Sequence, residues 1–179
     1  MSKELKKYLT AGVGGWWVLT GFAGALVVIY LISLAMGNDV DPAGLVVFLI
    51  MLAVSLIPQL VTMGKMKKLA EDPNLPAMEQ DFRMAQPLRK GKVRFGRYWI
   101  FVKGRRAPVM YAEIRQVYQF IQRTNFIESA RTLRYVDTKG RTKDLCNLDL
   151  RGKSDEEVRQ MVQLILTKNP NVKDRKSVV

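Results

Sequence analysis

The chain has 179 residues, with 29 Lys and Arg against 16 Asp and Glu, a net charge of +13, one cysteine and no histidine. That composition excludes an intramolecular disulfide, and it removes histidine-based acid–base catalysis, the Ser-His-Asp triad and the usual histidine zinc ligands. The charge is unevenly placed: residues 11–64 hold no Lys or Arg, whereas residues 65–179 carry 26 basic against 13 acidic residues, the whole excess of 13. An excess of this kind points to nucleic acid, anionic lipid or an acidic protein surface as its counterpart.

Residues 1–12 read as a short tail with Lys3, Lys6 and Lys7. Residues 13–64 read as a two-helix transmembrane hairpin. Its first apolar run is Val13 to Met36 and its second is Leu45 to Met63, both without a charged residue. About 20 such residues cross a bilayer core of about 30 Å. Trp16 and Trp17 suit the headgroup level, and Pro58 lies near the end of the second run, where local rearrangement tolerates it. Residues 37–44, Gly37-Asn38-Asp39-Val40-Asp41-Pro42-Ala43-Gly44, are a turn sequence too short for anything but an antiparallel connection.

Lysines flank the hairpin on both sides (Lys65, Lys67 and Lys68 follow it) and the loop has none. The positive-inside rule then places both termini in the cytoplasm and makes the chain a multi-pass protein of the plasma (cytoplasmic) membrane. A cleaved signal peptide is the competing reading. The first run exceeds an ordinary signal core, and a second long run follows at once, which disfavours cleavage. Gly21 and Ala25, four apart, are candidates for close helix–helix packing, although small residues are common in membrane helices.

Residues 65–87 form a juxtamembrane linker broken by Asp72-Pro73 and Pro76, with a short helix over Ala77–Ala85 closed by Pro87. Residues 88–170 read as the cytoplasmic domain. Strands are expected at Lys92–Phe95, Tyr98–Val102, Pro108–Tyr111, Ile114–Ile121, Thr132–Val136 and Arg141–Leu148, with a hairpin turn at Asp137-Thr138-Lys139-Gly140. A helix closes the domain. Ser154 and Glu157 make a capping box, Val158, Met161, Val162, Ile165 and Leu166 share one face, and Asn169-Pro170 is the stop. Residues 171–179 are left as a basic flexible tail. The expected fold is a membrane α-helical hairpin plus an α+β domain: an antiparallel curled sheet or partly open barrel with a C-terminal capping helix.

The order Tyr98-Trp99-Ile100-Phe101, Pro108-Val109-Met110-Tyr111-Ala112-Glu113-Ile114, Asp137-Thr138-Lys139-Gly140-Arg141 and the helix ending Lys168-Asn169-Pro170 resembles pleckstrin-homology-like domains. With the hairpin before it, the chain is similar to small bacterial membrane proteins with two transmembrane helices and a cytoplasmic pleckstrin-homology-like (YcxB-like) domain. The resemblance covers roughly residues 88–170 and implies a fold more than an activity. It also implies that basic residues around the first strands and turn are the ones to contact lipid.

Arg89, Lys90, Lys92, Arg94, Arg97, Lys103, Arg105 and Arg106 fall in one stretch, and no acid lies between Asp81 and Glu113. Basic clusters beside a membrane helix attract anionic lipid, each cation contributing about 1 kcal/mol near the surface. Lys92, Arg94, Arg97, Lys103, Arg105 and Arg106 are therefore the candidate contacts to anionic lipid headgroups or a protein partner; a solvated face is the bland alternative. Nucleic acid is disfavoured, because Tyr98, Trp99 and Phe101 sit among the cations as strand residues and no recognised module matches. No phosphate loop, nucleophile motif or metal-ligand spacing is present, so neither enzymatic activity nor a cofactor is expected. Cys146 reads as a small buried hydrophobe.

The expected function is a non-enzymatic, membrane-anchored interaction module presenting a basic domain to the inner leaflet or to a protein partner. The alternative is an accessory subunit of a transport or channel-like assembly, recognised through its helices. A homo-oligomer is compatible with either.

Overall fold

The computed structural model describes residues 1–38, 41–125, 127–150 and 155–178. The chain begins with α1 (Lys3–Leu9), then α2 (Gly14–Ala35) and α3 (Pro42–Ala70), which pack together as an antiparallel hairpin. α4 (Leu75–Met84) leads into β1 (Gln86–Leu88), β2 (Val93–Phe95), β3 (Trp99–Val102) and β4 (Val109–Met110). A single 3-10 turn, Tyr111–Glu113, passes the chain to β5 (Ile114–Thr124), β6 (Ile127–Asp137), β7 (Thr142–Asn147), α5 (Asp155–Lys168) and β8 (Lys173–Val178).

The strands form two four-stranded sheets. One is ordered β1-β2-β3-β4 and antiparallel throughout; the other is ordered β7-β6-β5-β8, with β8 parallel to β5. Among the described residues no closed barrel forms. Val93, Ile100, Val117, Leu133, Tyr135, Met161 and Ile165 meet in one core between the sheets and α5. The face of α5 expected from helical spacing is the buried one: Val158, Met161 and Ile165 are buried, and Val162 and Leu166 pack beside them. Asn169 closes the helix and donates from Nδ2 to the carbonyls of Tyr111 (2.8 Å) and Ile114 (3.1 Å), joining the helix end to the crossing between the sheets. The capping residue Ser154 lies outside the described residues, as do Asp39 and Val40 of the hairpin loop. Glu157 turns to Arg89 (Nε to carboxylate, 3.6 Å).

α2 and α3, at 22 and 29 residues, are long and apolar enough to cross a membrane. At 1.5 Å per residue, α2 measures about 33 Å. Asp41 caps α3 by accepting from the Ala43 N–H (2.9 Å), with Pro42 in the first turn where its missing donor costs nothing. The Tyr30 hydroxyl donates to the Asp41 carbonyl (2.7 Å) and fixes the loop end.

Four regions depart from the sequence reading. The N-terminal tail contains α1, whose Leu5 and Leu9 are completely buried. They join Met66, Leu69, Met78, Phe82, Trp99 and Phe101 in a second core on the outer face of the first sheet. Residues 65–87 hold the helical continuation to Ala70 and the short helix that the sequence allows, and what the sequence does not give is their packing into this core. α3 runs on to Ala70, α4 lies on the sheet and Gln86–Leu88 pairs with β2. The tail expected over 171–179 instead supplies β8, its backbone satisfied by β5. β5 and β6 are also longer than expected, at 11 residues each, because polar residues continue the pairing beyond the apolar ones.

Candidate functional site

The base of the hairpin is where the chain concentrates its cations. Two connections bring the domain there. The first is α1 with the turn Thr10–Val13. Gly12 takes φ +94°, a left-handed value that favours glycine, and turns the chain from α1 into α2. The second is the β3–β4 turn, Lys103–Arg106. Its Gly104 has φ +80°, donates its N–H to the Tyr8 carbonyl (2.9 Å), and comes so close to α1 that an added Cβ would lie 2.6 Å from the Ala11 carbonyl oxygen. Two residues on, Arg106 Nη2 reaches the Pro58 carbonyl of α3 at 3.5 Å. The basic turn is thus held against α1 and against α3 of the hairpin.

The six candidate cations divide by register. Lys92 and Lys103 face each other at the open end of the β2–β3 pair, linked by the Lys103 N–H to Lys92 carbonyl bond (2.8 Å), and both are exposed. Arg97 occupies the closed end of the same pair, stacked over Tyr98 at 5.2 Å, and is not part of the cluster at the hairpin base. Arg94 lies between them on the α1 face, over the rings of Phe82 (4.8 Å) and Tyr8 (5.5 Å). Arg105 turns to the second sheet, donating to the Tyr135 hydroxyl (2.9 Å) and to the Asp144 carbonyl. Arg89 is buried, bound to Asn147, Asp149 and Glu157. So Lys92, Lys103 and Arg106 gather at the hairpin base, while Arg89, Arg94 and Arg105 chiefly hold the domain together.

Trp99 and Phe101 are core residues, which leaves Tyr98 as the exposed aromatic of that strand. Cys146 is half-buried in β7, and burial pushes its thiol up to about 11, so it stays protonated at neutral pH. Burial also pushes the Tyr8 hydroxyl up to about 12; it donates to the Gly91 carbonyl (2.9 Å). Among the described residues no group of His, Cys, Asp and Glu could hold a metal ion.

Asp81 organises the other end of the sheet. Its buried carboxylate accepts from the N–H groups of Arg97, Tyr98 (3.0 Å) and Trp99 (3.0 Å), so α4 caps the β2–β3 turn. A Cβ at Gly96 would collide with that carboxylate.

Within the hairpin, Gly21 and Ala25 are exposed on α2 and do not pack against α3; nothing lies within 4 Å of a Cβ built at Gly21. Ala23 is the buried small residue. Alongside it runs a polar seam that the sequence reading missed. Thr20 Oγ1 donates to Ser55 Oγ (3.0 Å), and Gln59 Nε2 donates to the Trp16 carbonyl (3.2 Å) and to Thr20 Oγ1. Ser55, Gln59 and Thr62 are buried. The signal was present: Ser55, Gln59 and Thr62 are the polar residues of the second apolar run and recur at helical spacing, and Thr20 is one of the few in the first.

A cleft of about 1510 Å³ opens between α1, the start of α2 and the last turns of α3, lined by Lys7, Trp17, Gln59, Lys67, Arg94 and Lys103 among others. A smaller one, about 670 Å³, lies between the Lys103–Arg105 turn and β7. No protein-family profile matches the chain, and no characterised protein or solved structure matches it either.

Proposed function

We propose that the protein is a non-enzymatic, membrane-anchored interaction module. α2 and α3 cross the plasma membrane with both termini in the cytoplasm, and the basic turn is presented to the inner leaflet. The observation that carries this reading is the placement of Lys103–Arg106 against Tyr8 and Pro58. If the hairpin is in a bilayer, a turn bonded to its base lies at headgroup depth, where each exposed cation is attracted to anionic lipid by about 1 kcal/mol. The exposed apolar side chains of α2 and α3 support the membrane setting, since contiguous apolar surface of that extent is not left to water. Reading the domain as pleckstrin-homology-like is supported by the order of its elements: an antiparallel four-stranded sheet, a three-stranded meander β5-β6-β7 and then a helix, with β8 as an addition.

The test uses the full-length protein in nanodiscs of neutral or anionic phospholipid, read by amide hydrogen exchange. The Lys103–Arg106 turn is expected to be protected more in anionic discs, less as salt rises, and equally in both discs once Lys92→Gln and Lys103→Gln are introduced. Exchange that ignores lipid charge at low salt would remove the leaflet role.

A second reading has one observation in its favour. Gly21 and Ala25 face outward from the hairpin, where a helix of another protein could approach closely. An accessory subunit of a transport assembly would lose its partner on Gly21→Leu; a leaflet-reading module would not.

A further inference from the structure

The large cleft is richer in charge than a gap between helices requires. Lys6, Lys7, Lys67, Arg94 and Lys103 line it, against one acid, Glu4. Cations gathered on one cavity repel each other unless an anion joins them. Two buried polar atoms on its lining residues have no hydrogen-bond partner: Arg94 Nε, a donor, and Gln59 Oε1, an acceptor. Gln59 Nε2 donates to Trp16, Thr20 and Ser55, which fixes this amide at the hairpin end of the cleft.

The cleft is also graded along its length. From Ala70 to Gln59 it follows α3 for about 16 Å, at 1.5 Å per residue. The cationic end lies beside the domain. The other end has Trp17 and Met63, which are exposed apolar side chains of the hairpin, beside the buried Gln59 and Thr62. A headgroup layer is about 5–8 Å deep on each side of the hydrocarbon, so a groove of this length runs through it into the acyl region. At about 1510 Å³ the volume exceeds the roughly 300–1,000 Å³ of an ordinary small-molecule pocket. Charge at one end, apolar wall at the other and this size fit an amphiphile, not a free anion.

We propose that this cleft is a binding site for a single anionic phospholipid. Its phosphate is drawn to Lys7, Lys67 and Arg94, and its acyl chains leave along Trp17 and Met63. The inference rests on the membrane reading above, but on different residues and a different readout from the basic turn.

The test places the full-length protein in phosphatidylcholine nanodiscs containing a small fraction of phosphatidylglycerol brominated high on its acyl chains. A control disc carries the same fraction of brominated phosphatidylcholine. Quenching assigned to Trp17, by difference from Trp17→Phe, is the signal. The site predicts at least about twofold more quenching by the brominated anionic lipid than by the neutral one. Lys7→Gln with Lys67→Gln, both exposed positions that leave the fold intact, should reduce this to equality. Inorganic phosphate in excess should leave the quenching unchanged. Equal quenching by the two lipids in the unaltered protein overturns the site, and so does relief by phosphate, which would make the cleft a receptor for the free anion. If the Lys103–Arg106 turn still responds to lipid charge in that case, only the cleft has failed; if it does not, the leaflet reading has failed with it.

Discussion

α2 and α5 are both regular helices, and they meet opposite surroundings. α5 buries one stripe, Val158, Met161 and Ile165, and leaves its charged residues other than Glu157 exposed to water. α2 is apolar on every side yet has only Ala23 buried; Val18 is 73% and Phe22 58% exposed. The domain helix is held by burial in a core. For the hairpin, a bilayer would supply the apolar surroundings, leaving a thin polar seam to hold one helix to the other. Between them lies α1 with the second core, which ties the hairpin base to the sheet. The two regions should therefore respond differently to substitution.

The domain side should suffer most. Asp81→Ala strands the N–H groups of Arg97, Tyr98 and Trp99, at about 1–3 kcal/mol each where buried. A total loss of roughly 3–6 kcal/mol is expected in thermal unfolding of the detergent-solubilised protein. Leu9→Ala removes a completely buried side chain from the second core and should cost about 2–5 kcal/mol. Because α1 supplies that core, a fragment lacking residues 1–10 should unfold at lower denaturant than the full chain, although the missing piece looks like a tail. Gly104→Ala places a Cβ against the Ala11 carbonyl at positive φ, with an expected cost of about 1–2 kcal/mol. Faster exchange of the Gly104 amide should accompany it as the turn leaves α1.

The hairpin should be less sensitive. Gln59→Leu deletes the seam's main donor, and polar contacts between membrane helices average about 0.6 kcal/mol, with a maximum of about 1.7. A steric-trap measurement of helix separation would read this loss. A cost as large as that of Leu9→Ala would break the comparison.

The smallest effect at neutral pH is a pH dependence. The Lys143 ammonium and the N–H and guanidinium of Arg141 hold the Asp137 carboxyl well below the usual carboxylate range. A folded-state pKa below the unfolded value, about 3.9, stabilises the native state above that value, and the stabilisation is lost as pH falls below it. Unfolding midpoints should therefore drop below about pH 4, and Asp137→Asn should flatten that part of the profile.

The sequence reveals the two apolar helices, α5 and the central strands plainly, since their periodicity or charge-free length survives any tertiary context. Gly12 and Gly104 could not be assigned a role from sequence, because a glycine does not say which chain comes close to it. α1 was legible in part: Leu5, Tyr8 and Leu9 recur at helical spacing after Ser2, yet its lysines read first as a topological signal. β8 escaped because Lys173-Asp174-Arg175-Lys176 is charged, and only the parallel pairing with β5 makes it a strand. Among the cations, sequence cannot separate Lys92 and Lys103, which stay exposed, from Arg94 and Arg105, which stack on or bond to tyrosine. That division depends on register, which places Lys92 and Lys103 together and Arg97 at the far end.

Whether the basic turn can meet lipid headgroups depends on its depth. A spin label at Lys103→Cys, in a Cys146→Ser background of the full-length protein in anionic liposomes, would report it through collisions with oxygen and with a water-soluble nickel chelate. A second label at Lys139→Cys, on the β6–β7 turn, serves as the aqueous reference. The Lys103 label is expected at headgroup depth, shielded from the chelate, with the Lys139 label fully accessible. Equal chelate access at both positions would contradict it, and the basic turn would then face the cytoplasm.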